Sequence, residues 1–121
     1  MGRRGQLNAK EILVLARRLI SNPGNWCKDS MAKKKASGRF VGCSVADWEA
    51  CQWCATGAID ASIPSDAWVP HIEGRREAWE IMGNVCSMDN MVEFNDHPET
   101  KHEDVLAVFD EAIDRLSRGE R

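Results

Sequence analysis

Cysteine is the residue type in this chain with the widest chemical range, because its thiolate attacks carbonyl carbons, exchanges disulfides and binds metals. The chain holds an odd number of cysteines at irregular spacing, and its first residues lack the apolar core of an export signal. We therefore expect a cytoplasmic protein whose thiols are mostly reduced and packed as small apolar side chains. The cysteines are Cys27, Cys43, Cys51, Cys54 and Cys86.

Cys51 and Cys54 have the Cys-x-x-Cys spacing of a redox pair. In thioredoxin-like sites such a pair opens a helix that follows a strand, and the helix dipole lowers the pKa of one thiol. The sequence from Ser44 to Ser62 instead predicts one helix that holds both cysteines in its interior, with no βαβ pattern around it. A redox role is therefore disfavoured.

A zinc site is the second chemistry that these thiols could support. A tetrahedral thiolate site needs two close pairs of ligands, and only Cys51 and Cys54 have that spacing. Cys27 and Cys43 are far apart in sequence, so a meeting of all four around a metal stays open but disfavoured. Cysteines of this kind are more often packed in the core than bound to a metal. We therefore expect neither a metal nor another cofactor.

A Cys-His hydrolase is the third chemistry, with Cys54 as nucleophile and His97 as base. Turn formation explains the segment Phe94–Thr100 more simply: Asn95 and Asp96 are residue types that bond the backbone of their own turn. Because Cys54 is also expected to be buried, we predict no catalytic residue. A Cys-dependent enzyme is the third alternative for function.

The charges of the chain are distributed unevenly. Residues 1–41 contain ten Lys and Arg against two acids, and residues 42–121 contain six against seventeen, although the net charge is only −3. Such asymmetry favours an anionic partner or head-to-tail self-association. It is equally compatible with charged faces that serve only solubility.

Candidate residues for binding a protein partner combine a steering charge with an aromatic anchor. The turn-prone run from Lys33 to Gly38 supplies the charge, and tryptophans outside the predicted core faces supply the anchor. The candidates are Lys33, Lys34, Lys35, Arg39, Trp53 and Trp68.

Nucleic-acid binding is the alternative use of the same basic half. Further cations could contact phosphates there, and Trp26 and Phe40 could stack on bases. The acidic remainder would repel a phosphate backbone, and no known reading module is evident. The cations are Arg3, Arg4, Arg17, Arg18 and Lys28.

The elements that position these residues are predicted from capping residues and apolar periodicity. Asn8 with Glu11 forms a capping box for a first helix, which the segment Asn22–Asn25 ends. Thr100 with Glu103 forms another capping box, which begins a final amphipathic helix.

Ser44 is predicted to cap the second helix. Its spacing puts Trp48 on the core face and Trp53 outside that face. The small residues from Ala55 to Ala58 would let another backbone approach closely.

The predicted fold is mainly α: a compact three- to four-helix domain with one short β-hairpin. A third helix spans roughly Gly74 to Val85, and residues 31–41 form the basic hairpin. Residues 1–121 make a single domain with a basic arm at 1–7 and a frayed tail at 117–121. No apolar run is long enough to cross a membrane.

Four motifs carry a resemblance to a known family: GNWCKDSMA, a Gly-Arg-Phe-Val hairpin, WCATGAIDA, and FNDHPET followed by DVL. Over about residues 8 to 117 the chain resembles a domain-of-unknown-function family of small helical proteins from bacterial, notably actinobacterial, and phage genomes. It departs in having Asn25 where Gly commonly precedes the Trp, and Phe94 where Trp is usual. The resemblance implies a helical fold and a mobile-element origin, and lends no activity.

These observations predict a non-enzymatic interaction module, a phage- or mobile-element-related accessory protein that binds a protein partner or self-associates. The alternative is a nucleic-acid or nucleotide-binding accessory protein that uses the basic N-terminal half.

Overall fold

A computed structural model describes residues 7–64, 71–86, 88 and 90–120 of the chain. These residues form a mixed α/β fold of five α-helices and one three-stranded antiparallel sheet. The expectation of a mainly α domain with three to four helices and one hairpin is therefore wrong. The elements are α1 (Ala9–Leu19), a 3-10 turn (Pro23–Asn25), β1 (Ala32–Ala36), β2 (Arg39–Cys43), β3 (Ala50–Trp53), α2 (Ala55–Ala61), α3 (Ile72–Cys86), α4 (Met91–Asp96) and α5 (His102–Ser117).

The third strand lies where the sequence predicted the start of the second helix. Ser44 does not cap a helix; the backbone N–H of Asp47 donates to its carbonyl at 3.0 Å and closes a turn. Strand β3 then pairs with β1, and the helix begins only after Cys54, which is its N-cap. Pairing with a distant strand overrides the local helical spacing, because β-structure depends on neighbours more than on intrinsic preference.

The sheet has the strand order β2-β1-β3, so the lysine-rich strand β1 is central. A two-residue turn, Ser37-Gly38, joins β1 to β2, and both residues have positive φ, at 53° and 79°. That conformation is the type I′ turn of tight hairpins. A hairpin therefore forms in the predicted region, but Lys33, Lys34 and Lys35 lie within a strand and not in the turn.

Helices α1, α3 and α5 pack against one another, and α2 packs against α1 and α3, to form the core. Ile12, Ile59, Ile81 and Phe109 are fully buried there. Burial of large apolar side chains from four helices supplies the main free energy of folding. No helix in the described part of the chain is long and apolar enough to cross a membrane.

Local capping was predicted well at α1 and less well at α5. The Asn8 side chain accepts from the Glu11 N–H at 2.8 Å, and the Glu11 side chain accepts from the Asn8 N–H at 2.9 Å. Helix α5 begins one residue later than predicted: the Lys101 N–H donates to Asp104 at 2.9 Å, and Thr100 is buried. The Thr100 cap was therefore wrong.

Helix α2 lies against the chain just before β1. A Cβ on Gly57 would stand 1.8 Å from the carbonyl oxygen of Met31, a distance that no side chain tolerates. The run of small residues does admit another backbone, as its composition suggested. This contact fixes the sheet against the helical core.

Candidate functional site

Lys34 points away from Lys33 and Lys35, because successive side chains of a strand alternate between faces. Its Nζ lies 3.3 Å from Oδ2 of Asp47 and 3.7 Å from Oε1 of Glu49. The hydrogen bond to Asp47 raises the pKa of Lys34. The charge of Lys34 is therefore engaged within the molecule, and it holds the loop between β2 and β3 against the sheet.

That loop, residues 44–49, is called here the crossover loop, because it carries the chain across β1. The Ala46 N–H donates to the Ser44 hydroxyl at 3.1 Å, and the Glu49 N–H donates to the Asp47 carboxylate at 2.9 Å. The latter bond is the main reason that the pKa of Asp47 is lowered. The Ala50 N–H donates to the Asp47 carbonyl at 2.9 Å. The crossover loop therefore has a defined shape in the free protein.

Trp48 projects from the crossover loop and is 89% exposed, more than any other large apolar residue described. The prediction that it faces the core was wrong, since the helix on which that prediction rested is not formed. Trp53 is half-buried and packs against the hydrophobic core. Trp68 lies outside the described residues. Among the described tryptophans, Trp48 is therefore the exposed one.

The hairpin adds a second exposed aromatic with cations beside it. Phe40 is 47% exposed, and Nζ of Lys35 lies 5.7 Å from the centre of its ring. Arg39 is exposed and Lys33 is half-buried. Of the predicted hairpin cations, Lys35 and Arg39 are thus the most available to a partner.

Of the three described candidates for phosphate binding, two are engaged within the molecule. Arg17 donates to both carboxylate oxygens of Asp110, at 2.8 and 3.2 Å, and this pairing raises its pKa. Lys28 Nζ donates to the carbonyl of His97 at 2.6 Å. Arg18 is exposed near the end of α1, and Arg3 and Arg4 lie outside the described residues.

Cys51 and Cys54 straddle a junction between strand and helix, contrary to the prediction that both lie inside one helix. Only Cys54 opens the helix, whereas Cys51 lies within strand β3, so the pair does not have the arrangement of a redox site. Cys54 is only 4% exposed, and burial raises its pKa. Burial also raises the pKa of Cys27 to about 12. Thiols held in the neutral form are poor nucleophiles.

The described cysteines are all free, so none is paired in a disulfide. Within the described ranges no three His, Cys, Asp or Glu side chains are arranged to hold a metal ion. The four cysteines considered for zinc therefore do not assemble into a metal site in this structure.

Asn95 has a different role from the one predicted for it. Its side chain is 1% exposed, and its oxygen accepts from Trp26 Nε1 at 2.7 Å and from the Ala55 N–H at 3.0 Å. Its amide donates to the carbonyl of Cys27 at 3.1 Å. Asn95 thus joins α4, α2 and the segment before the sheet. The turn interpretation missed helix α4, which begins at Met91 and has Asn95 on its buried face.

Comparison with known proteins gives a family but no activity. Residues 5–115 match the model of DUF6197, described as a family of unknown function. No curated protein and no solved structure matches the chain.

Proposed function

The chain belongs to the DUF6197 family, and we propose that it is a non-enzymatic interaction module that binds a protein partner through its sheet and crossover loop. The observation that carries this proposal is the 89% exposure of Trp48 on a loop fixed by hydrogen bonds and by Lys34. Tryptophan is the residue type most enriched among those that dominate binding energy at protein interfaces.

The fixed shape of the crossover loop matters because binding is weakened by the entropy lost when a mobile segment becomes ordered. The turns at Ser44 and Asp47 have already ordered the loop in the free protein. An indole presented in this way can enter a pocket of a partner and exclude water there. Lys35 and Arg39 would steer an acidic partner toward the sheet.

Nucleic-acid binding is less well supported by the geometry. Arg17 and Lys28 are held within the molecule, and Lys34 is paired with acids of the crossover loop. A phosphate backbone would have to displace those partners to gain the same contacts. We therefore treat nucleic acid as a competing outcome of the experiment below.

We also propose that the protein is a cytoplasmic accessory factor of a bacterial, notably actinobacterial, or phage genome. The motifs quoted from the sequence support the origin, and the free state of the described cysteines fits a reducing compartment. Small proteins of mobile elements often act by binding a host factor.

The test is affinity enrichment from an extract of the source cells, with Trp48→Ala compared against the unchanged protein. We expect one protein to be enriched and to be lost with Trp48→Ala, whose removal of an exposed anchor should weaken binding at least about tenfold. The fold should persist, because exposed substitutions change stability by less than about 0.5 kcal/mol.

Ile72→Ala is the matched control, since Ile72 is also an exposed apolar residue but lies on α3. It should retain the enriched protein. The interaction must then be reproduced with the purified partner by isothermal titration calorimetry. Enrichment that disappears after nuclease treatment, or that survives Trp48→Ala unchanged, would contradict the proposal.

A further inference from the structure

Strand β2 is at an edge of the sheet. It pairs with β1 on one side, and no strand of the described part of the chain lies on its other side. The edge of β3 is different, because Trp53 there forms a parallel bridge with Trp26, and the Cys27 N–H donates to the Trp53 carbonyl at 3.1 Å. The open edge of the sheet is therefore that of β2.

The register of the sheet determines which backbone groups face this edge. The type I′ turn joins Ala36 and Arg39 by a hydrogen bond, so Arg39 bonds toward β1. Because bonding direction alternates along an antiparallel strand, the N–H and C=O groups of Phe40 and Gly42 point outward. The Cys54 N–H donates to the Met31 carbonyl at 3.2 Å, which agrees with this alternation.

Strand β2 lacks the usual features that protect an edge. Natural edges carry inward charges, proline or a bulge that prevent another strand from pairing. The sequence of β2 is Arg-Phe-Val-Gly-Cys, with a charge only at its start. The shift in register that interrupts the sheet lies between β1 and β3, so it does not protect the edge of β2. Phe40, 47% exposed, adds apolar area beside the free backbone groups.

We propose that the β2 edge accepts an extended acidic segment of the partner protein as a fourth strand. This inference rests on the proposed function and names the chemistry of the partner. Phe40 and Gly42 would each exchange an N–H and a C=O hydrogen bond with the added strand. Carboxylates on the face of that strand shared with Phe40 would lie near Lys35, whose Nζ is over the Phe40 ring, whereas Arg39 is on the opposite face of the sheet.

Charge favours this occupant over a second copy of the chain. Pairing two β2 edges would gather Lys33, Lys35 and Arg39 of both copies on one sheet, and this accumulated like charge opposes association. The acids that neutralise part of the hairpin, Asp47 and Glu49, are both engaged with Lys34. Lys35 and Arg39 therefore stay available to an acidic strand of another protein.

The test uses two synthetic peptides of seven residues, one alternating Glu with Val and one alternating Lys with Val. Each is titrated into the full chain, with Gly42→Pro compared against Gly42→Ala. Proline removes the outward N–H of residue 42, whereas alanine keeps it. Both variants place a Cβ 3.0 Å from the Ser30 hydroxyl, so alanine controls for that contact.

We expect the Glu peptide to bind the unchanged chain, and Gly42→Pro to weaken that binding about tenfold while Gly42→Ala stays within about twofold. Amide exchange in the unchanged chain is a second readout, which does not depend on the fold of either variant. The Glu peptide should slow exchange at Phe40 and Gly42 about tenfold and leave Val41 little changed.

The proposal is overturned if the Glu peptide does not bind, if the Lys peptide binds equally, or if both variants lose binding alike. It is also overturned if exchange at Phe40 and Gly42 is unaffected, or if sedimentation shows a dimer that Gly42→Pro dissociates. If any of these holds while Trp48→Ala still abolishes enrichment of the partner, only the edge proposal fails. Loss of the Trp48 effect alone would instead contradict the proposed function.

Discussion

At the scale of single residues, the thiols of Cys27 and Cys54 are kept neutral by burial. Cys27 is 6% exposed and Cys54 is 4% exposed. Burial is the largest cause of the raised pKa at both, and at Cys27 the nearby Cys54 adds to it. A nucleophilic cysteine needs the opposite environment, an accessible thiolate beside a cation. The environment of these two thiols therefore favours the non-enzymatic proposal.

The buried thiol of Cys27 makes the stability of the fold sensitive to alkali. Its pKa is raised from 9.0 to about 12, so above pH 9 the unfolded chain loses a proton that the folded chain keeps. Stability should be unaffected by this group below pH 9 and should fall as pH rises from 9 toward 12, by about 1 kcal/mol at pH 10.

Urea titrations at pH 8 and pH 10 measure that fall, with Cys27→Ala as the comparison. The variant should show a fall smaller by about 1 kcal/mol, whatever its absolute stability. An equal fall in both proteins would mean that the Cys27 thiol is not kept neutral by the fold.

The sequence identified the tryptophans and the Asn-Asp segment as notable residues, but it did not predict their positions in the fold. Trp48 was placed on a core face because its spacing to Cys51 is helical, yet the indole is 89% exposed. Asn95 was assigned to its own turn, whereas its hydrogen-bond partners Trp26 and Ala55 are distant in sequence. Both errors have one cause: the deciding contacts join segments that local spacing cannot relate.

At the scale of elements, local signals were predictable and long-range pairing was not. The capping box at Asn8 and the type I′ hairpin are each determined within a few residues. Strand β3 forms because β1 offers it an edge, and nothing within the segment 44–53 indicates that edge. The junction between β3 and α2 is then held by the buried side chain of Asn95, which accepts from the Ala55 N–H.

Asn95→Ala should therefore destabilise the whole fold. It removes the acceptor for Trp26 Nε1 and the Ala55 N–H, and it removes the donor to the Cys27 carbonyl. Buried groups left without partners each cost about 1–3 kcal/mol, so we expect a loss of about 3 kcal/mol in the free energy of unfolding. Denaturant unfolding followed by tryptophan fluorescence measures it.

The matched control is Asn84→Ala, because Asn84 is exposed on α3. It should change the free energy of unfolding by less than about 0.5 kcal/mol. If Asn95→Ala costs less than about 1 kcal/mol, the Asn95 contacts do not hold these elements together.

At the scale of the whole molecule, part of the charge asymmetry is resolved inside the chain. Residues 1–41 are basic and the rest acidic, yet Arg17 pairs with Asp110 across α1 and α5, and Lys34 pairs with Asp47 and Glu49. These ion pairs neutralise Arg17 and Lys34, which are therefore less available to an anionic partner. Arg18, Lys35 and Arg39 are among the described cations that stay exposed, and Lys35 and Arg39 lie beside the open edge of β2.

The central claim is that the surface around Trp48 contacts a protein. Its most direct test is photo-crosslinking in the source cells, with p-benzoylphenylalanine placed at position 48 and, as control, at position 72. Both positions are exposed and apolar, but position 72 is on α3. We expect a discrete, nuclease-resistant protein adduct from position 48 and none of that mass from position 72. No adduct at 48, a nuclease-sensitive adduct, or the same adduct from both positions would contradict the claim.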